Sequence, residues 1–260
     1  MVFELETINQ FIAGLMMPFL RISGLFVAMI GLSAQTVPPQ IRALFGIILA
    51  FAIMPLVPVV PVDDFFSAYT ILLAIQQLLI GVAIGFVSMM VLNTFVLAGQ
   101  IIAMQTGMGF ASIVDPVNGI NVPAVGQFYL ILATLLFWAM DGHLIMIEMI
   151  VMSFEAFPIG GEFFSKENFR DIALWAGWLF VSSLTLSLAP IVSLLIVNLA
   201  FGVMTKAAPQ LNVFSIGFSL AQIMGLVIMW ITMSNFAMHF SLQWGRAEQF
   251  MCELLRICAT

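Results

Sequence analysis

Long apolar runs separated by short polar or proline-marked breaks set the rhythm of this chain. A membrane-crossing helix needs roughly 20 mostly apolar residues. The first such run extends from Phe11 to Leu32 and is interrupted by Arg21. A break over 33–42 follows, in which Pro38 and Pro39 suit the first turn of a new helix. The second run, Ile41 to Val60, closes at Pro55, Pro58 and Pro61, and Asp63-Asp64 makes an acidic turn. A third run begins near Ala68 and continues to Ala98. A fourth covers Ala124 to Met140, is cut by Asp141-Gly142-His143, and resumes through Phe154. After a polar loop at 160–171, a fifth run spans about 172–199 with Pro190 as an expected kink. A turn at 206–210 leads to a sixth, Val213 to Phe240, and the tail from Ser241 reads as an amphipathic surface helix. No stretch alternates long enough to compete as a strand, so the expected fold is all-α, about six apolar helices.

Two of these runs carry small residues four apart. Gly81 with Gly85, and Gly217 with Ala221 and Gly225, mark faces on which two helix backbones can approach closely.

Composition sharpens the picture. The chain is 63% hydrophobic and only 8% charged, where soluble domains carry about 25% charged residues. Its exterior must therefore face lipid or other protein. The formal charge of −6 is dispersed, and seven Lys and Arg scattered singly make no phosphate-tracking stripe, which excludes nucleic acid as a partner. The acidic start, with Glu4 and Glu6, lacks the positive region of a cleaved signal. Cys252 and Cys258 lack a metal-ligand spacing and read as small apolar tail residues. Orientation stays open, because Arg42 and Lys206 fall on one side while Lys166, Arg170, Arg246 and Arg256 fall on the other.

No residues support an enzyme or a cofactor. His143 and Glu148 have the wrong spacing for a metalloprotease helix, and no phosphate loop, dinucleotide fingerprint or nucleophile elbow is present. Ionisable residues inside apolar runs are costly and point to function by default. Arg21, Asp141 and Glu148 qualify, either as an ion or proton relay or as charges met by partner subunits and helix ends.

The least lipid-like stretch runs from Gly99 to Pro123, and its most unusual part is Gln105 to Asn121. Its glycines, asparagines and Asp115-Pro116 argue against a continuous helix. Such backbone must lie in water, within protein or along an aqueous cavity. Met108, Phe110, Ile113 and Val114 give it apolar side chains that an ordinary surface loop rarely gathers.

At these residues the chain resembles the FliR family, whose relatives include injectisome export subunits. The likeness covers nearly the whole chain. It includes Arg21, the turn from Pro38 to Arg42, Gly81 to Phe86, and Gly99-Gln100 through Gly107-Met108-Gly109-Phe110-Ala111 to Asp115-Pro116. Asp141-Gly142-His143, Ser153, Ala189-Pro190 and Asn198 follow. The most specific run is Ala208-Pro209-Gln210-Leu211-Asn212-Val213-Phe214 with Ile216-Gly217-Phe218, and Ser219 stands where the family carries proline.

The resemblance implies a single-copy subunit of the flagellar type III export gate in the bacterial inner membrane, at the flagellar basal body. It implies partners FliP, FliQ and FlhB and unfolded flagellar substrates. It also implies a FliP-like part over residues 1–168 followed by a FliQ-like helical hairpin over 169–260. The plug loop would be 106–122, with Thr106, Gly107, Met108, Gly109, Phe110, Ile113, Asp115 and Pro116 at the gate. Lys206, Pro209, Gln210 and Asn212 would form the hairpin tip. The alternative is a multi-span secondary transporter using Arg21, Asp141 and Glu148, for which matched broken helices in two halves would be expected.

Overall fold

The computed structural model describes residues 5–29, 31, 37–58, 67–110, 112–114, 121–207 and 213–257. Eight helices account for most of them: α1 (Leu5–Ala28), α2 (Pro39–Ile53), α3 (Ala68–Gln105), α4 (Ala124–Ala139), α5 (Gly142–Ala156), α6 (Lys166–Ala207), α7 (Val213–Met233) and α8 (Phe236–Leu254). Three-residue strands β1 (Ser112–Val114) and β2 (Asn121–Pro123) form a small antiparallel ladder between α3 and α4.

Helix boundaries follow from local chemistry. Pro39 opens α2, where a missing N–H costs nothing, and a 3₁₀ turn at Met54–Leu56 closes the segment at the prolines. Ser67 caps α3 by accepting the Thr70 N–H at 3.2 Å. Ser165 and Asn168 cap α6 reciprocally: the Asn168 N–H donates to Ser165 Oγ, and the Ser165 N–H donates to Asn168 Oδ1 at 2.9 Å. The expected polar loop thus gives way earlier than its charges suggest, and Lys166, Glu167, Arg170 and Asp171 belong to the first turns of a 42-residue helix. That helix continues through Pro190. Its Ser183, Thr185, Ser187 and Ser193 hydroxyls donate to carbonyls three or four residues back, which satisfies them without water.

Among the described residues, four helical segments are long and apolar enough to cross a membrane. Counting each of two bent pairs as one span gives six: α4 with α5 at 64°, and Ser219–Met233 of α7 with α8 at 60°. The first bend falls at Asp141, which takes a left-handed φ of 56° before Gly142. The second, at Ser234–Asn235, divides a run that reads as continuous in sequence. A long helix followed by a bent pair therefore occurs twice, as α3-α4-α5 and as α6-α7-α8.

Chain contacts divide the molecule into two compact units. One comprises Met1–Met89, Trp138–Trp175 and Arg246–Thr260; the other comprises Met90–Phe137 and Ala176–Gly245. In the first unit α1 is the central element, with Met17, Ile22, Leu25 and Phe26 buried. In the second, Phe95, Tyr129, Phe236 and Phe240 form a ring cluster with centroids 5.0–5.6 Å apart. The buried positions Phe236, Phe240, Trp244, Ala247 and Met251 recur every three or four residues, so α8 is the amphipathic helix its sequence implies. Cys252, near its end, is disulfide-bonded rather than a free apolar side chain. By contrast, only 17% of the most apolar 18-residue window is buried in each of the segments Pro39–Leu56 and Lys166–Met204, and Ile41, Leu44, Ile48, Phe180, Leu188 and Leu199 stand exposed.

Candidate functional site

Arg21 is fully buried in the first unit and all five of its N–H groups have acceptors. Its Nε and one terminal nitrogen donate to Gln77 Oε1 on α3, the former at 2.8 Å. The other terminal nitrogen reaches the Ser153 carbonyl at 2.7 Å and Ser153 Oγ at 3.0 Å, and the Phe157 carbonyl accepts at 2.7 Å. The Phe154 ring lies 4.0 Å from the guanidinium carbon. These acceptors are neutral. The positive charge rests on the carbonyl end of α5, where the helix dipole is negative, and on the face of an aromatic ring. Arg21 thereby ties α1, α3 and α5 together.

Truncation of this side chain orphans Gln77, Ser153 and the end of α5 simultaneously. Hydrogen bonds to a charged group are worth about 1.5–3 kcal/mol each. Arg21→Ala is expected to destabilise the chain by about 3 kcal/mol or more, and Arg21→Lys, lacking the planar fork, by less. Thermal melts of the detergent-solubilised protein and its abundance in membranes measure this. An unchanged Arg21→Ala melt would show that the knot is not a structural one.

The backbone break after α3 begins at a well-anchored point in the second unit. Thr106 is fully buried, and its hydroxyl donates to the Ile102 and Ala103 carbonyls at 3.1 and 3.0 Å. Its methyl consequently projects outward from α3 and meets Gly225 of α7, where any Cβ would overlap the Thr106 Cγ2. Gly107 then ends the helix with φ of 74°, a left-handed turn that favours glycine. A 3₁₀ turn at Met108–Phe110 follows, with Met108 and Gly109 half-buried. The ladder pairs Ser112 with Pro123, Ile113 with Val122 and Val114 with Asn121. Where sequence gives only a folded loop, the described part is a 3₁₀ turn and a two-stranded pair rooted on the buried Val122. Asp115 and Pro116 lie outside the described residues.

The other singled-out residues separate into distinct environments. Asp141 and Glu148 are both exposed, unlike Arg21. His143 lies against Trp138 with ring centroids 4.5 Å apart. Lys206 is exposed near the end of α6, whereas Pro209, Gln210 and Asn212 lie outside the described residues. Among the described residues, no three His, Cys, Asp or Glu side chains converge as a metal set would.

The glycine stripes mark close crossings. A Cβ on Gly81 would fall on the Arg21 carbonyl of α1, and one on Gly85 would come within 2.8 Å of Ala28 Cβ and of the Leu25 carbonyl. The answering face is Gly24 and Ala28, spaced four apart like Gly81 and Gly85; that spacing is the signal by which sequence alone could have found it. A third crossing pairs Gly99 of α3 with Gly126 of α4, where an added Cβ would lie 2.7 Å from Gly126 Cα. On α7, Ala221 and Gly225 are buried and Gly217 is half-exposed.

Comparison with known proteins agrees along almost the entire length. Residues 12–247 match the bacterial export proteins, family 1. The flagellar biosynthetic protein FliR of Escherichia coli K12 is 37% identical over 214 residues, 82% of this chain and 81% of the relative. The protein of the same name from Bacillus subtilis is 28% identical over 236 residues, covering 88% and 90%. That of Buchnera aphidicola subsp. Baizongia pistaciae aligns over 97% of this chain and 98% of its own length at 25% identity. With its membrane-length helices, the chain belongs to the FliR family of bacterial export proteins, a flagellar, non-enzymatic export component of the inner membrane.

Proposed function

We propose that the chain is the single-copy subunit of the flagellar protein-export gate, lining its channel with FliP and FliQ and closing it with the segment 106–122. The observation that carries this reading is the break between α3 and α4. Non-helical backbone in a chain of apolar helices requires protein or an aqueous cavity around it. Here it is built from a 3₁₀ turn and a short ladder, and is held at Thr106 and Val122. Helix length supports assembly beyond the bilayer. The 38 residues of α3 and 42 of α6 span about 57 and 63 Å at 1.5 Å per residue, against a hydrocarbon core of about 30 Å.

Residues 1–168 act as a FliP-like part and 169–260 as a FliQ-like hairpin, α6 and α7 flanking the tip at 208–212. The tip, with Lys206, Pro209, Gln210 and Asn212, contacts FlhB, and unfolded flagellar proteins pass the gate. The repeated order of long helix and bent pair is a feature that transporters share. However, Arg21 has every N–H engaged while Asp141 and Glu148 are exposed, so these three make no common relay.

Purification of the tagged chain from flagellated cells tests the reading, with a photo-cross-linker at position 210. FliP and FliQ are expected to co-purify, and FlhB to be captured at the tip. Their absence, with only lipid captured, would overturn the assembly.

A further inference from the structure

We propose that the groove between α1 and α2 binds an anionic phospholipid of the surrounding bilayer, with Arg42 holding the headgroup phosphate. The groove is open along one side and has a volume of about 230 Å³. Phe19, Phe26 and Val27 of α1 and Pro39 of α2 supply apolar wall, and Ser23 and Arg42 are its polar lining. Phe26 stacks on Phe45 at 5.4 Å, and a Cβ on Gly46 would come within 3.3 Å of the Phe19 ring, so the two helices are closely packed beside the groove.

The electrostatics select the sign of the occupant. One terminal nitrogen of Arg42 donates to the Val37 carbonyl at 3.1 Å, while its Nε is buried with no acceptor. Arg42 also stands in the first turn of α2, where the helix dipole is positive, and that turn holds no acidic residue. A guanidinium with an unpaired inward N–H at the positive end of a helix calls for an anion. Phosphate suits it because the planar fork of arginine matches phosphate oxygens.

The apolar part of the occupant follows from the neighbouring surface. Ile41, Leu44 and Ile48 stand exposed on α2, Val27 is 64% exposed at the groove, and only 17% of the Pro39–Leu56 span is buried. An acyl chain in the groove therefore stays continuous with hydrocarbon outside it. Arg42 sits near the N-terminal end of that apolar span, and a cation at such an end meets the headgroup region when the span crosses a bilayer. A free phosphate would leave the apolar walls uncovered, and an acidic protein segment would leave the exposed face of α2 without a lipid boundary.

Native mass spectrometry of the full chain in its purified membrane complex tests the site, using phosphatidylglycerol and phosphatidylcholine of matched chain length as probes. The native protein is expected to retain phosphatidylglycerol about fivefold over phosphatidylcholine, the value of one favourable charge at a membrane surface. Arg42→Gln should reduce that preference to near unity, and Arg42→Lys should keep most of it. Val27→Phe, placed at an exposed position, should reduce adducts of both lipids by narrowing the mouth. Equal binding of the two lipids by the native protein, or an undiminished preference in Arg42→Gln, would overturn the proposal. So would inorganic phosphate that displaces no lipid yet binds alone, or a cross-linker at position 27 that captures only protein.

Discussion

Gly81→Ala and Gly225→Ala are both expected to lower the yield of folded chain, and only the second loss should be reversible by a neighbouring change. A Cβ on Gly81 meets backbone: the Arg21 carbonyl, with Leu25 N at 2.9 Å. Helix α1 must move as a body to admit it, and the Arg21 knot to Gln77 and Ser153 resists that movement. Overpacking costs about 1–3 kcal/mol and sometimes more, and backbone against backbone belongs to the upper end. At about 1.4 kcal/mol per tenfold, Gly81→Ala should cut native yield by tenfold or more, and Gly81→Leu should abolish it. At Gly225 the obstructing atoms are instead Thr106 Cγ2 and, at 3.0 Å, Thr106 Cβ. Thr106→Ser deletes the methyl and retains the hydroxyl bonds to Ile102 and Ala103. The double variant Gly225→Ala with Thr106→Ser should therefore recover most of the yield on native gels. Gly177 and Gly245 have nothing within 4 Å of an added Cβ, and alanine at either should be neutral or slightly stabilising through helix propensity. Rescue of Gly81→Ala by Thr106→Ser, or failure to rescue Gly225→Ala, would refute these packing assignments.

The contrast also indicates what was readable in the chain before its structure. Helix-forming runs and the stripe Gly81–Gly85 are local patterns, and they place α3 and its close-packing face. The answering stripe, Gly24–Ala28, has the same spacing, but Arg21 draws attention away from it as an apparent functional charge. The partners of Arg21 lie 56, 132 and 136 residues away, and two of the acceptors, at Ser153 and Phe157, are main-chain carbonyls whose identity carries no side-chain signal. No periodicity can point to such a site. The charged start of α6 reads as loop because Lys166, Glu167, Arg170 and Asp171 are polar, although Ser165 and Asn168 form a legible cap. The bend at Ser234–Asn235 is hidden for the opposite reason: two polar residues inside an apolar run lower its hydropathy little. Thr106 is the subtlest case. Its value lies in a methyl turned toward Gly225 and a hydroxyl turned back on its own helix, a division of one side chain that only geometry exposes.

Removal of residues 109–120, with α3 rejoined to β2 by a short glycine-serine link, is expected to leave the export complex assembled and make the membrane leak. The anchors survive the deletion: Thr106 stays buried against Gly225, Gly107 keeps its left-handed turn, and Val122 remains two residues ahead of α4. What is lost is the 3₁₀ turn and the ladder, along with Phe110 and Ile113, which belong to the seal in the proposed gate. A constriction of this kind blocks ions by dewetting and need not fill the bore. Met108 is retained, and an unbranched thioether adapts to irregular gaps, so the deletion should raise conductance without giving a fully open pore. Phe110→Ser should produce a smaller leak in the same direction, since it removes apolar surface and preserves the backbone path. Gly109→Ala should give none, because its added Cβ would sit at an ordinary 3.6 Å from Met104. The measurement is ion and small-solute leakage in cells making the complete gate, with complex abundance quantified in the same cells. Leakage must rise in the order Gly109→Ala, Phe110→Ser, deletion, at constant abundance. An assembled deletion complex as tight as the native one would reduce the segment to a structural connector between α3 and α4, and the seal would have to be sought on another chain of the gate.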